Sequence, residues 1–214
     1  MAELGAPVHL STQYNIAPTD TVPVIIDFRN ERRVHSMRWW LTPSWAPEVS
    51  TKFNMFNAKS ETLETSRAFH TPFLRQRGIL PASSFIEWQQ SGGVKIPWCV
   101  RPVQNAFAFA VLWDRWERHG NYLESCTVIT TRAPEQFEHY HNRFPVILTP
   151  SECFEWLSPR TGIATLKAMF HPEIKLPLEL FPLSTEINNP KNKDDRAVRP
   201  VGESVTLKKQ NSLL

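Results

Sequence analysis

The apolar residues of this chain recur mostly in short runs with a period of two, which is the spacing of half-buried β-strands. Such runs predict strands at residues 22–28, 34–38, 85–88, 95–103, 107–113, 125–131 and 180–184. Charged or glycine-containing segments join several of these runs and predict hairpin turns at residues 29–33, 89–93 and 117–121. Strands joined by hairpins run antiparallel, so the pattern favours a mostly antiparallel sheet.

Helical signals are few. The segment that begins at Thr149 combines an N-cap residue, a proline at the first helical position and an acid at the third, so a helix is expected to start there. Cys153, Trp156 and Leu157 fall on one face of this helix and are expected to be buried. A second short helix is predicted at residues 165–170. The chain is therefore predicted to be α+β, mostly antiparallel β with short peripheral helices.

Residues 53–62 combine both kinds of signal. Aromatic and amide side chains alternate over residues 53–57, which predicts a half-buried strand. A turn at residues 58–59 then leads into a helix with Ser60 or Thr62 as its N-cap. Amides and a lysine beside a helix N-terminus can hold an anionic or carbonyl-bearing ligand. The same residues would also suit an ordinary junction in which the amides bond only the local backbone.

Tryptophan and basic residues suggest a nucleic-acid surface. Trp39 and Trp40 could form one core ring and one ring over it, whereas Trp45, on a proline-bounded loop, could stack on nucleobases. A positive cluster follows, broken by two acids, and it comprises Lys52, Lys59, Arg67, Arg75 and Arg77, with Glu61 and Glu64 between them. Because aromatic rings are interleaved with it, this cluster is predicted to bind a single-stranded phosphate backbone. Solvated surface charge is the alternative.

The sequence also contains candidate acid–base groups. The strand period places Phe85 and Glu87 on one face, so Glu87 is expected to be partly buried, with a raised pKa suited to acid–base catalysis. An edge-strand glutamate in water is the alternative. His139 and His141 have H-x-H spacing, which would put both imidazoles on one strand face and could bind a metal. No matching ligand pair stands elsewhere, so a single functional histidine near Arg143 is favoured and no metal is predicted.

Composition, net charge and cysteine content indicate the class of protein, the possible partners and the expected location. Of 214 residues, 41% are hydrophobic and 21% charged, as in soluble globular proteins, and we expect one domain over residues 1–202 with a flexible tail at 203–214. The net charge of +3 permits a nucleic-acid partner where positive residues cluster. Three cysteines are too few and too far apart for a disulfide framework. With no signal peptide, membrane-spanning run or nucleotide-binding glycine motif in the sequence, we expect a cytoplasmic monomer without a membrane contact or cofactor.

Five motifs, taken in order, resemble those of one known family. They are Tyr14-Asn15-Ile16-Ala17-Pro18-Thr19, Arg38-Trp39-Trp40-Leu41-Thr42-Pro43-Ser44-Trp45-Ala46, Phe56-Asn57-Ala58-Lys59-Ser60-Glu61-Thr62, Phe85-Ile86-Glu87-Trp88 and His141-Asn142-Arg143-Phe144-Pro145-Val146-Ile147-Leu148. Their order resembles that of the SOS-response-associated peptidase (SRAP) family, whose members shield abasic sites in single-stranded DNA. Each motif alone is weak, but the ordered set is specific, and the resemblance extends over residues 14–201.

The resemblance implies a mixed, mostly antiparallel β barrel or sandwich with a positive groove for single-stranded DNA, and a nucleoid location when bound. In the family, an exposed N-terminal cysteine condenses with the ring-opened abasic sugar to a Schiff base and then a thiazolidine crosslink, which implies autoprocessing-peptidase or lyase-like activity. Asn57 would hold the N-terminal residue or the sugar, Glu87 would act as acid or base on the amine, and His141 would move protons. DNA contacts are implied for Lys59, Arg67 and Arg143 at phosphates and for Pro18 and Trp45 at bases.

This sequence departs from the family at several positions. The second residue is Ala2 rather than cysteine, Trp40 stands where glycine is usual, and Asn142 stands where aspartate is common. Three accounts remain open: an alternative or truncated start, which we favour; a non-covalent single-strand binder; and a lyase that uses only the amine of Ala2. A metal-dependent hydrolase using Glu87 and the two histidines of the H-x-H motif is a rival from another class.

Overall fold

The computed structural model describes residues 11–29, 31–104 and 106–209, and strands dominate this part of the chain. The strands are β1 Thr21–Phe28, β2 Glu31–Trp39, β3 Asn57–Lys59, β4 Arg77–Ala82, β5 Phe85–Ser91, β6 Val94–Pro102, β7 Phe107–Arg118, β8 Asn121–Arg132, β9 Arg143–Pro145, β10 Leu178–Pro182 and β11 Val205–Leu207. The α-helices are α1 His70–Arg75, α2 Pro150–Leu157 and α3 Ile163–Ala168, and short 3-10 helices lie at Ser60–Thr62, Glu135–Phe137, Thr185–Asn188 and Asp195–Val198. The predicted class, mostly β with short helices, is confirmed.

Five strands close into a mixed barrel in the order β2-β1-β4-β7-β8. The hairpin pairs β1–β2 and β7–β8 are antiparallel, as the sequence predicts. The barrel closes where the end of β2 lies parallel to β8, with Arg38 opposite Ser125 and Trp39 opposite Cys126. Parallel pairing needs a long crossover connection rather than a hairpin, so this closure has no local sequence signal.

Two three-residue strands flank the last residues of β8. β3 runs parallel to β8 and places Asn57 opposite Val128 and Lys59 opposite Thr130. β9 runs antiparallel to β8 from the other side and places Arg143 opposite Arg132. Two separate motifs of the sequence are therefore brought to one end of one barrel strand.

The predicted strand at residues 53–57 is wrong. Residues 53–56 are irregular, Phe53 is 65% exposed, and the strand begins only at Asn57. The backbone here bonds to the tryptophan segment, because the Phe56 carbonyl accepts the indole N–H of Trp39 at 2.8 Å. The alternation of rings and amides thus reflects contacts of a loop rather than the two faces of a strand.

One of the two predicted helix starts is confirmed. At α2 the hydroxyl of Thr149 accepts the Glu152 N–H at 3.4 Å, and the Glu152 carboxylate accepts the Thr149 N–H at 2.7 Å. The other is wrong, since neither Ser60 nor Thr62 caps a helix: Lys59 precedes a single 3-10 turn without a side-chain cap. No helix within the described residues is long and apolar enough to cross a bilayer.

The barrel strands bury side chains on both faces. One face packs against α1, α2 and α3, and the buried Cys153, Trp156 and Leu157 belong to this core as predicted. The other face packs against a second sheet in the order β11-β10-β6-β5. Strand β11 lies inside the predicted flexible tail, so that prediction is wrong for residues 205–207. Leu207 of this short strand lies opposite Leu178 and is buried in the core between the two sheets.

Candidate functional site

Glu87 lies near the middle of β5, and its side chain is only 24% exposed. The expected alternation is present: Phe85 packs with Phe107 in the core between the sheets, whereas Ile86 packs in a separate cluster. Burial raises the pKa of the Glu87 carboxyl from 4.5 to about 7, and the adjacent His141 acts in the opposite direction. A carboxyl with this pKa can gain or lose a proton readily at neutral pH, as general acid–base catalysis requires.

His141 faces this carboxyl from the segment that precedes β9. Its Nδ1 lies 3.5 Å from Oε2 of Glu87 and 3.2 Å from both the backbone nitrogen and the carbonyl oxygen of Arg143. A proton on Nδ1 would face the carboxylate or the carbonyl, whereas an unprotonated Nδ1 accepts the Arg143 N–H. The ring and the carboxyl therefore form a close acid–base pair at ion-pair distance.

His139 and His141 do not lie on a strand, so the H-x-H spacing does not align their imidazoles on one strand face. Residues 138–140 form a turn, and the buried ring of Tyr140, packed on Trp98 at 4.9 Å between centroids, lies between the two histidines in sequence. No group of three or more His, Cys, Asp or Glu in the described ranges could hold a metal ion. This part of the chain supplies no ligand set for the metal-dependent hydrolase.

The guanidinium of Arg143 is engaged by an acid. Its Nη1 and Nη2 donate to the two carboxylate oxygens of Glu61 at 2.7 and 2.9 Å, and Nη2 also donates to the Thr130 carbonyl at 2.6 Å. These hydrogen bonds lower the pKa of Glu61 to about 2, so its carboxylate is ionised at neutral pH. A phosphate approaching Arg143 would have to compete with this carboxylate.

Asn57 and Lys59 present their side chains to solvent on one face of β3, because Ala58 between them is fully buried. The backbone of Lys59 pairs with Thr130 from the side of β8 opposite to β9, and the Arg143 guanidinium donates to the carbonyl of the same residue. Within the described residues, no hydrogen bond joins the Asn57 side chain to Glu87 or His141. Its predicted role as a pocket wall stays a prediction.

Trp45 forms an exposed platform with a cation beside it. Its ring is 43% exposed, and Cζ of Arg67 lies 4.1 Å from the ring centroid. Arg118 donates to the carbonyls of Trp45 and Ala46 at 3.3 and 2.8 Å and so fixes the loop backbone. Trp39, in contrast, is half-buried. Of the three clustered tryptophans, Trp45 therefore has the geometry expected of a base-stacking ring.

Pro18 lies in a turn beside the end of β2. The N–H of the following residue, Thr19, donates to the carbonyl of Trp39 at 2.9 Å, which fixes this turn against the strand that closes the barrel. Pro18 itself is half-buried. Ala2, the predicted amine nucleophile, lies outside the described residues.

Only four of the five basic residues in the predicted positive cluster are exposed. Lys52, Lys59, Arg67 and Arg75 are exposed. Arg77 is only 8% exposed and donates to backbone carbonyls, so its inclusion in a DNA-binding surface is wrong. Burial inside the fold, which the spacing of charges does not reveal, gives this arginine a structural role.

Phe53 is an aromatic residue of this region that the sequence reasoning missed. Its ring is 65% exposed, and Nζ of Lys52 lies 5.9 Å from the ring centroid. Its alternation with amides predicts a half-buried strand instead. The signal that could have identified it is the polar stretch around it, since Ser50, Thr51 and Asn54 offer no apolar face for a strand to bury.

The fold and the site together define a small mixed β-barrel protein with a half-buried carboxyl–imidazole pair and a short strand, β3, that carries exposed polar and basic side chains. Residues 3–190 match the family described as SOS response associated peptidase (SRAP). The chain therefore belongs to this family.

Two relatives indicate how widely the similarity extends. The abasic site processing protein YoqW of Bacillus subtilis is 38% identical over 183 residues, covering 84% of this chain and 82% of the relative. The abasic site processing protein HMCES of Gallus gallus is 28% identical over 221 residues, covering 88% of this chain and 66% of the relative. These relatives support a function connected with abasic sites and DNA damage.

Solved structures show the same fold. A protein from Bacteroides thetaiotaomicron superimposes with a TM-score of 0.76 at 23% identity, covering 85% of this chain and 82% of that one. A protein from Bordetella bronchiseptica gives a TM-score of 0.62 at 28% identity, covering 72% and 79%.

Proposed function

We propose that this protein binds single-stranded DNA at abasic sites and places the ring-opened sugar between Glu87 and His141. The observation that carries the proposal is the pair itself: a carboxyl with a pKa of about 7 that faces an imidazole nitrogen at 3.5 Å. A buried acid–base pair is not needed to bind a phosphate backbone, whereas carbonyl chemistry at an abasic sugar requires proton transfers. The names of the relatives support abasic DNA as the ligand.

The chemistry that this pair would assist is the condensation of an amine with an aldehyde. After removal of Met1, the α-amine of Ala2 would attack the sugar aldehyde carbon, and a proton would pass from the nitrogen to the aldehyde oxygen, giving a carbinolamine. Loss of the hydroxyl as water, with a proton supplied by an acid, then gives the imine. Glu87 would take the first proton as a base, and His141 would deliver one to the departing oxygen. With the Ala2 amine as the nucleophile, no thiol would be available to add to the imine, so the product of this route would be the imine.

The strand would be held by the surface around this pair. Lys59 and Arg67 carry exposed positive charge for phosphates, while Trp45 and Phe53 offer exposed rings for bases. Trp45 already lies against the Arg67 guanidinium, so a base stacked on its free face would meet a ring fixed in orientation. A positive backbone track with ring platforms is the general arrangement of single-strand binding sites.

The covalent step is tested by incubating the full-length protein with an oligonucleotide that contains one abasic site, with and without sodium borohydride. An imine is reduced by borohydride to a stable amine, so a trapped adduct that depends on the reductant supports the Schiff base. Binding without any trapped adduct would favour the non-covalent binder. Failure to bind abasic single strands more tightly than unmodified ones would contradict the proposal itself.

The rate of adduct formation is predicted to depend on an ionisation near pH 7. Glu87 must be a carboxylate to accept the proton of the amine, so with its pKa raised to about 7 the rate should fall below that value by a further factor of about ten per pH unit, in addition to the loss caused by protonation of the amine. An α-amine titrates separately near pH 8. The measurement is the pH–rate profile, in which Glu87→Gln should retain only the ionisation of the amine. An unchanged profile in the variant would contradict the assignment.

The same burial predicts how stability depends on pH. The folded protein holds the Glu87 proton up to about pH 7, whereas the unfolded chain releases it near 4.5. The folded state therefore binds more protons in this window, and the contribution of Glu87 to the free energy of unfolding falls as the pH rises from 4.5 to 7. Comparing urea unfolding of the wild type and Glu87→Gln at both pH values isolates this contribution.

Replacing Phe53 with alanine is predicted to weaken binding to single-stranded DNA by about 1–3 kcal/mol, the usual contribution of one base–aromatic stack. Because the ring is 65% exposed, the melting temperature should change little. Phe28→Ala is the matched control, because this ring is also exposed (43%) and also has a cation, Arg29, beside it. Phe28 lies at the far end of β1 from Thr21, the strand residue that follows the Pro18 turn, and the two ends are about 23 Å apart along the strand. Equal losses in fluorescence-anisotropy titrations of both variants would contradict a specific role for Phe53.

A further inference from the structure

One acid lies within the surface proposed to meet DNA. Glu61 follows Lys59 by two residues on the 3-10 helix after β3, and its side chain is 50% exposed. Its two oxygens occupy both terminal nitrogens of Arg143, at 2.7 and 2.9 Å. A phosphate group presents the same kind of oxygen pair to a guanidinium fork. The free protein thus fills a phosphate-type site with its own carboxylate.

We propose that Glu61 is a specificity-determining residue, which occupies the fork of Arg143 in the free protein and must yield it to a backbone phosphate of the DNA. The inference rests on the proposed function and adds a competitor to its binding surface. Only a strand that gains further contacts, such as those of an abasic sugar in the pocket, would displace the carboxylate efficiently. Glu61 would therefore reduce binding to unmodified single strands more than binding to abasic ones.

The local geometry permits this exchange. The Glu61 side chain is half exposed, so water can solvate its carboxylate once it leaves Arg143, and the phosphate that replaces it restores the charge-assisted hydrogen bonds of the guanidinium. Arg143 would keep its place during the exchange, because Nη2 also donates to the Thr130 carbonyl at 2.6 Å and the residue pairs with Arg132 in the sheet. Glu61 lies on a single 3-10 turn with no side-chain cap, so its side chain can turn to solvent without breaking a helix.

The test measures Glu61→Gln against unmodified and abasic single strands over a range of salt concentrations. Glutamine keeps the size of the side chain but not its charge, so the fork of Arg143 becomes available. Affinity for the unmodified strand should rise roughly three- to tenfold, and log K should fall more steeply with log salt by about 0.7, the slope of one added phosphate contact on a single strand. The preference for the abasic strand should decrease.

Glu64→Gln is the matched control. Glu64 stands three residues further on, is 45% exposed and pairs with Lys167 at 2.5 Å, so this change removes the same charge but leaves Arg143 paired. Equal gains in affinity for the unmodified strand in both variants would show that only the loss of one negative charge matters, which would overturn the proposal. Unchanged or weaker binding by Glu61→Gln would identify the pair as a structural brace and also overturn it, while the proposed function would stand. If the wild type bound no abasic strand, both would fail.

Discussion

Replacing Glu87 with glutamine should lower the rate of imine formation with an abasic oligonucleotide by about 10²–10⁴-fold, the usual contribution of a positioned acid–base group. Glutamine keeps the shape of the side chain and a hydrogen-bonding oxygen beside His141, but it cannot take up a proton at any working pH. Because the proposed phosphate and base contacts lie elsewhere, affinity for the abasic strand should stay within about threefold of wild type. The measurement is single-turnover trapping with borohydride, with affinity measured in parallel.

The chain contains a matched control for this change. Glu124 is 19% exposed and contacts Nδ1 of His35 at 2.8 Å, so it forms a second carboxylate–imidazole pair, on the β2 and β8 strands of the barrel. Glu124→Gln removes a half-buried acid from such a pair but should leave the rate of imine formation unchanged. If both variants slowed the reaction equally, the loss would report damage to the barrel, and Glu87 would have no special role in the chemistry.

Side chains whose role depends on local periodicity were predictable from the sequence. Glu87 and Phe85 alternate with Ile86 as expected, because the strand period is two and nothing interrupts β5 at that point. The cap of α2 was predictable for the same reason, since Thr149 and Glu152 meet within one helical turn. Such signals need only a few neighbouring residues.

Contacts between distant parts of the chain were not predictable in this way. Arg143 and Glu61 are 82 residues apart and meet only because β3 and β9 flank the same end of β8. The family motif supplied Arg143 as a phosphate contact but gave no indication that an internal carboxylate holds it. Likewise, the exposure of Phe53 follows from the absence of a partner strand, which is a property of the fold and not of residues 53–57. The spacing of charges also predicts an exposed Arg77, whereas contacts with the distant residue Trp156 bury it.

Replacing Arg77 with methionine should lower the free energy of unfolding by about 3–5 kcal/mol, a large part of the 5–15 kcal/mol typical of a folded domain. Its buried guanidinium connects the C-terminal ends of α1 and α2. At the end of α1, Nη1 donates to the carbonyls of Phe73 and Leu74 at 2.9 and 2.8 Å. At the end of α2, Nε and Nη2 donate to the carbonyls of Trp156 and Ser158, each at 2.7 Å. Helix C-termini carry unpaired carbonyls and partial negative charge, which a cation stabilises. Methionine fills similar space but leaves these buried acceptors without donors.

Urea unfolding of Arg77→Met, Arg77→Lys and Arg75→Met separates this role from general loss of charge. Arg75 is exposed in the last turn of α1, so its replacement should change the free energy of unfolding by no more than about 0.5 kcal/mol. Lysine restores the positive charge but offers one point donor group instead of a planar fork, so Arg77→Lys should recover only part of the loss. Full recovery with lysine would show that charge alone matters at the two helix ends. Equal losses in Arg77→Met and Arg75→Met would show that the carbonyl contacts contribute nothing beyond surface electrostatics.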